Sequence, residues 1–174
     1  MSLVRVAVAF SALAAVALAA SAAEWKTHTF AADGFAADFS GEVETHVMDV
    51  TKSTRERLVS ANSHTQMSKG GRVGFLVAAN HFADGEVINF NAMARRTMKS
   101  YACKKIVDDA RIEVAGVPAR EMRATDCYKG TNVGARFLKR DQWFYQVVYL
   151  IVDEEDRADG ERFLASFKLV PVKN

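Results

Sequence analysis

Hydrophobic and polar positions change their period along the chain, and the changes mark its elements. Trp25 to Phe30 and Phe35 to Phe39 are short runs with aromatic residues, joined through Asp33-Gly34, which predicts two strands and a turn. Val43 to Val50 and Leu58 to Met67 read as further strands, the second polar on one face, with the charged stretch from Thr51 to Arg57 as the loop between them. Ser68-Lys69-Gly70-Gly71 supplies glycines for the positive φ angles of a hairpin turn, and Arg72 to Phe82 is its returning strand.

After Asp84-Gly85 the period becomes 3.6. Phe90, Met93, Ala94, Thr97, Met98, Tyr101 and Ala102 fall on one helical face, with Arg95, Arg96 and Lys99 on the other and Asn89 placed as N-cap. Ile106 to Val114 and Val117 to Thr125 are strands turned by Ala115-Gly116. Val133 to Lys139 and Trp143 to Val152 make another hairpin across Arg140-Asp141. The last of these strands is apolar everywhere except Gln146, so both its faces must be covered, which makes it the central strand. The acids from Asp153 to Asp156 favour the positive end of a helix dipole and open a second helix burying Phe163, Leu164 and Phe167; Leu169 to Val172 closes as a short strand. The expected fold class is α+β, an antiparallel β-sheet sandwiched with helices, with about seven to nine strands and two main helices.

The N-terminus carries an address. Arg5, the uncharged run from Val6 to Ala20 and the small residues Ala20-Ser21-Ala22-Ala23 before Glu24 have the three-part form of a secretory signal peptide. The expectation is a leader over residues 1–23, cleaved near Ala22 or Ala23, and a periplasmic or secreted single domain over 24–174. The run is too short and too alanine-rich for a comfortable span, so no membrane insertion is expected after its removal. Without the leader, 22 basic residues face 21 acidic ones, and a net charge of +1 gives no electrostatic reason to expect nucleic acid. In an oxidising compartment the two cysteines, Cys103 and Cys127, are expected to pair.

Four segments resemble a known family. Gly34-Phe35-Ala36-Ala37-Asp38-Phe39 is similar to the entry strand of PsbP-like α/β/α-sandwich proteins. Gly116-Val117-Pro118-Ala119-Arg120-Glu121 resembles their Gly-x-Pro-small-Arg-Glu hairpin. Trp143-Phe144-Tyr145-Gln146-Val147 stands where they place an aromatic-rich strand, and Phe163-Leu164-Ala165-Ser166-Phe167 is similar to their closing helix. These are packing and turn signatures, so the resemblance implies a fold and no reaction. Members of known role are mostly accessory or partner-binding proteins.

Candidate chemistry is sparse. His28, His46, His64 and His81 fall one to a strand, and His46, His64 and His81 on one sheet face would suit Zn or Cu, but no paired ligand motif is present. Cys103 has no Cys-x-x-Cys and no nucleophile elbow around it. Asp108-Asp109 and Asp153-Glu154-Glu155-Asp156 sit at expected element boundaries, as solvated acids rather than a buried catalytic pair. Arg95, Arg96 and Lys99 read as a wet helical face. Trp143, Tyr145 and Tyr149 share one face of the central strand and are the candidate binding surface, for either a protein partner or a small ligand. No catalytic, metal or cofactor-binding residue is assigned. The expected function is an exported non-enzymatic binding or accessory module; the alternative is a periplasmic enzyme or small-ligand carrier with a site assembled from dispersed residues.

Overall fold

A computed structural model describes residues 24–49, 57–68 and 70–173. The expected leader over 1–23 and most of the expected loop over 51–57 lie outside them. The described residues form ten strands, one or more beyond the expected number, and two main helices. The strands are β1 (Lys26–Phe30), β2 (Phe35–Phe39), β3 (Glu44–Val47), β4 (Leu58–Met67), β5 (Val73–Phe82), β6 (Lys105–Val114), β7 (Val117–Thr125), β8 (Asn132–Arg140), β9 (Trp143–Ile151) and β10 (Lys168–Leu169). The helices are α1 (Phe90–Ser100) and α2 (Arg157–Ser166). No helix among the described residues is long and apolar enough to cross a membrane.

Seven strands form one antiparallel sheet in the order β3-β4-β5-β9-β8-β7-β6, and β1-β2-β10 form a smaller one. β9 occupies the middle of the large sheet, as its apolar character at every position but Gln146 requires. Side chains alternate across a strand, so β9 divides its residues between two cores. Trp143, Tyr145, Val147, Tyr149 and Ile151 pack with Phe35, Phe39 and Phe75 against the small sheet and α2. Phe144 and Val148 pack with Phe137, Met98 and Ala94 against α1. Gln146, the polar exception, accepts a hydrogen bond from the Thr97 hydroxyl at 2.6 Å and ties α1 to the central strand.

α1 begins where Asn89 accepts a hydrogen bond from the Ala92 amide at 3.0 Å, which satisfies one of the orphan donors of a helix start. Ala94 and Met98 are its buried stripe. α2 starts after a short 3-10 turn, Glu154–Asp156, in the acidic run. Asp108 and Asp109 depart from expectation: they lie within the β6–β7 ladder, beside a bulge, rather than at an element boundary.

Cys103, just after α1, is bonded to Cys127, just after β7, with the Cα atoms well inside the reach of about 7 Å that a bridge needs. The Tyr128 amide donates to the Tyr101 carbonyl at 2.9 Å, so bridge and backbone together hold the C-terminal end of α1 to the sheet. Closing a loop of this length removes about 3–4 kcal/mol of unfolded-state freedom in the chain-entropy model. The Cys103→Ser/Cys127→Ser variant is therefore expected to lose about that much unfolding free energy in a denaturant titration. An unchanged midpoint and slope would show that the helix end is already held without the bridge.

Candidate functional site

Pairing register decides which histidines meet. His46 lies opposite Ser63, whereas Thr45 lies opposite His64, so His46 and His64 point to different faces of the sheet. His81 lies opposite Ser60, on the face that His64 shares but four residues along the strand from it, and stacks on Trp143 at 4.5 Å. The three imidazoles are not brought together, and no cluster of three metal-ligating side chains occurs among the described residues. His28 packs edge-on against Phe39.

His64 has partners that sequence reasoning missed. It is 2% exposed, and its Nε2 lies 2.7 Å from Asp33 Oδ2 while its Nδ1 lies 2.9 Å from the Thr45 hydroxyl. Asn62 donates to the other Asp33 oxygen at 2.7 Å, and Phe30 covers the imidazole with ring centroids 3.8 Å apart. Tyr145 donates its hydroxyl to the Asp33 carbonyl at 2.9 Å, and burial pushes its phenol up to about 12. The contacts of Asp33 with Asn62, His64 and Tyr145 fasten the β1–β2 turn onto the large sheet, and Thr45 holds the imidazole from within that sheet.

The aromatic face proposed for binding is closed. Trp143 is 8% exposed, Tyr145 0% and Tyr149 1%, because the β1-β2-β10 sheet and α2 lie over it. Three amphipathic aromatics at alternate positions look alike whether the face above them is open or covered. Their polar tips serve the interior instead: Tyr149 donates to Glu161 on α2 at 2.9 Å. Glu161 also receives two hydrogen bonds from Arg123 at 2.7 and 2.8 Å, and these hold its carboxyl below the usual carboxylate range. Glu121, itself 8% exposed, is held by Arg123 and Arg136, and Arg136 also donates to the Leu164 carbonyl at 2.6 Å. This network locks α2 against β7 and β8.

The α1 face of the large sheet is different. α1 covers β8 and β9, while the β6–β7 hairpin extends past it and leaves a groove between helix and hairpin. Near the start of α1 the groove holds a cavity of about 490 Å³ lined by Phe90 and Asn91 of the helix, Arg111, Pro118 and Arg120 of the hairpin, and Lys139 of β8. Arg111 and Arg120 are directly opposite in the ladder, an unfavourable like-charge pair unless something anionic lies near. Asp109 supplies part of that charge by gripping Arg120 through both carboxylate oxygens, and this contact keeps its carboxyl below the ordinary range, with the Arg95 and Arg111 charges adding to the effect. Arg120 also donates to Asn91 at 3.2 Å. Arg111 and Lys139 are exposed and make no ion pair among the described residues.

A second cavity, about 260 Å³, opens at the other end of α1 among Arg95, Met98, Lys99, Cys103, Ile106 and Met122. β6 runs alongside the helix, with Arg111 beside its first turn and Ile106 beside its last, so the two cavities lie in one line. Arg95 and Lys99, read from the sequence as a wet face, thus line the wall of a groove. Its one carboxylate among the residues that line or brace it is Asp109, already engaged by Arg120.

The layered arrangement has a counterpart among solved structures. Over 87% of this chain and 95% of the other, it is similar to cyanobacterial PsbP (CyanoP) from Synechocystis sp. PCC 6803, with a TM-score of 0.57 and 9% sequence identity. The fold is PsbP-like. The PsbP-like resemblance of the four sequence segments therefore holds at the level of fold, with the Trp143 strand in the sheet centre and the Phe163 helix over it. A protein of unknown function from Pseudomonas aeruginosa, PA94, is also similar, at 10% identity over 86% of this chain and 99% of that one, with a TM-score of 0.45. No protein-family model matches the sequence, and no curated protein matches it.

Proposed function

We propose that this chain is an exported binding or accessory module, without chemistry of its own, that holds an anionic partner in the groove between α1 and the β6–β7 hairpin. One observation carries the reading. The buried acids Asp33 and Glu121 are hydrogen-bonded, to His64 and to Arg136, whereas Arg111 and Lys139 stand exposed, without an ion pair among the described residues, around a largely apolar cavity. Unsatisfied cations beside a concave apolar surface are what recognition of an anion with an apolar body requires. Export rests on the signal-like pattern of residues 1–23, and the Cys103–Cys127 bridge suits an oxidising compartment.

The enzyme alternative has one feature in its favour, the hydrogen-bonded line from Thr45 through His64 to Asp33. That line resembles an activated hydroxyl in outline. An imidazole 2% exposed, engaged at both nitrogens and capped by Phe30 suits an anchor better than a base that must exchange protons with a substrate.

Cross-linking in the native envelope tests the proposal. The wild-type chain and an Arg96→Glu control are expected to give the same cross-linked species, and Arg111→Glu/Lys139→Glu to reduce it roughly tenfold or more with the melting temperature preserved. An undiminished species in the double variant would remove the groove from consideration.

A further inference from the structure

Resting on that reading of the groove, we propose that its occupant is an extended acidic peptide segment whose carboxylates are interspersed with apolar side chains. At about 490 and 260 Å³ the two cavities each hold a few side chains rather than a domain surface, and they lie along one line beside α1. Each repeats the same chemistry. The first sets Phe90 and Pro118 beside Arg111 and Lys139; the second sets Met98 and Ile106 beside Arg95 and Lys99.

Dimensions fit an extended chain. From Asn91 to Met98 the helix advances by seven residues, about 10 Å at 1.5 Å per residue. An extended peptide rises about 3.3 Å per residue, so four or five residues reach from one cavity into the other. A helical ligand covering the same span would need about seven residues and the width of a second helix.

The cations favour carboxylates. Guanidinium groups match a carboxylate through two parallel hydrogen bonds, and Arg120 already makes that contact with Asp109 inside the groove. Asp109 thus shows which anion this wall accommodates, and Arg111, directly across the ladder from Arg120, offers the same fork outward. A nucleic acid would call for exposed aromatic faces on which bases stack, and the groove's aromatic, Phe90, is half-buried in its floor. A membrane surface would call for a contiguous protruding apolar rim, whereas Phe90 is half-buried and Met98 buried, which leaves Ile106 as the exposed apolar side chain of the second cavity.

The test uses the full chain and a fluorescein-labelled octapeptide of alternating Glu and Leu, read by anisotropy. Binding is expected, weakened roughly tenfold or more by Arg111→Glu/Lys139→Glu, by the matching Gln–Leu peptide and by poly-Glu of the same length, and weakened as salt rises. Ile106→Asp, at an exposed position of the second cavity, is expected to weaken the peptide as well, which single-cavity binding would not produce. Equal binding of the Gln–Leu peptide would overturn the acidic assignment. Binding of phosphatidylglycerol vesicles or of a single-stranded oligonucleotide with none of the Glu–Leu peptide would overturn the peptide assignment. If the double variant loses its envelope cross-link while the Glu–Leu peptide fails to bind, the groove stands and only its occupant is wrong. If the cross-link also persists, both fall.

Discussion

His64→Ala is expected to lower the unfolding free energy by about 3–5 kcal/mol, against less than about 0.5 kcal/mol for His46→Ala on the exposed edge strand. The difference follows from what each imidazole leaves behind. Without His64, the Asp33 carboxylate stays under the β1–β2 turn with Asn62 as the remaining donor to its side chain among the described residues, and the Thr45 hydroxyl loses its ring partner. A buried carboxylate short of its donors costs far more than the lost attraction itself, because water cannot replace the missing hydrogen bond. In a domain of this size each kcal/mol moves the melting temperature by about 2–4 °C, so a fall of roughly 10 °C is expected. Asp33→Ala/His64→Ala is expected to cost less than the two single variants summed, because removing both partners strands neither. Strict additivity in that cycle would show the two groups to be independent and the anchor account to be mistaken. The groove lies on the other face of the large sheet, so the folded fraction of His64→Ala is expected to bind the Glu–Leu peptide as wild type does.

Position in the sequence revealed some of these features and hid others for a geometric reason. β9 was legible as the central strand because being buried on both faces leaves a one-dimensional mark, an apolar residue at every position but one. α1 was legible because its period and its Asn89 cap are both local. The bridge was legible from compartment chemistry, which needs no coordinates. The Asp33–His64 contact joins residues 31 apart on two different sheets, and each alone reads as an ordinary turn acid and an ordinary strand histidine. Periodicity also placed Trp143, Tyr145 and Tyr149 on one face without saying what covers it. The cover is β1 and β2 from the far end of the described chain and α2 and β10 from its close. The groove was hidden for the same reason, since Phe90, Arg111, Arg120 and Lys139 come from a helix and three strands and meet only through the ladder.

The central strand also makes the closest approach to a glycine among the described residues, and Gly134→Val is expected to cost about 3–5 kcal/mol, comparable to deleting an aromatic from a core. Gly134 lies directly opposite Tyr149 in the β8–β9 ladder, and the Tyr149 ring lies over it so closely that a Cβ built there would fall on the ring itself. On the opposite side Gly160 of α2 presses the same ring, where a Cβ would come within 2.7 Å of its carbons. Two glycines thus form the slot in which the ring lies flat between helix and sheet, an arrangement that also exempts Gly134 from the usual weakness of glycine in a strand. With Gly160 behind it the ring has no retreat, so a side chain at 134 must expel it, breaking its hydrogen bond to Glu161 and loosening α2. Overpacking that a neighbour can absorb costs about 1–3 kcal/mol, and the larger figure expected here reflects a neighbour that cannot move. The decisive measurement is the same substitution in a Tyr149→Ala background. With the ring gone, Gly134→Val is expected to cost less than about 1 kcal/mol, since valine suits a strand better than glycine does. An undiminished penalty in that background would place the requirement for glycine in the backbone of β8 rather than in the ring it accommodates.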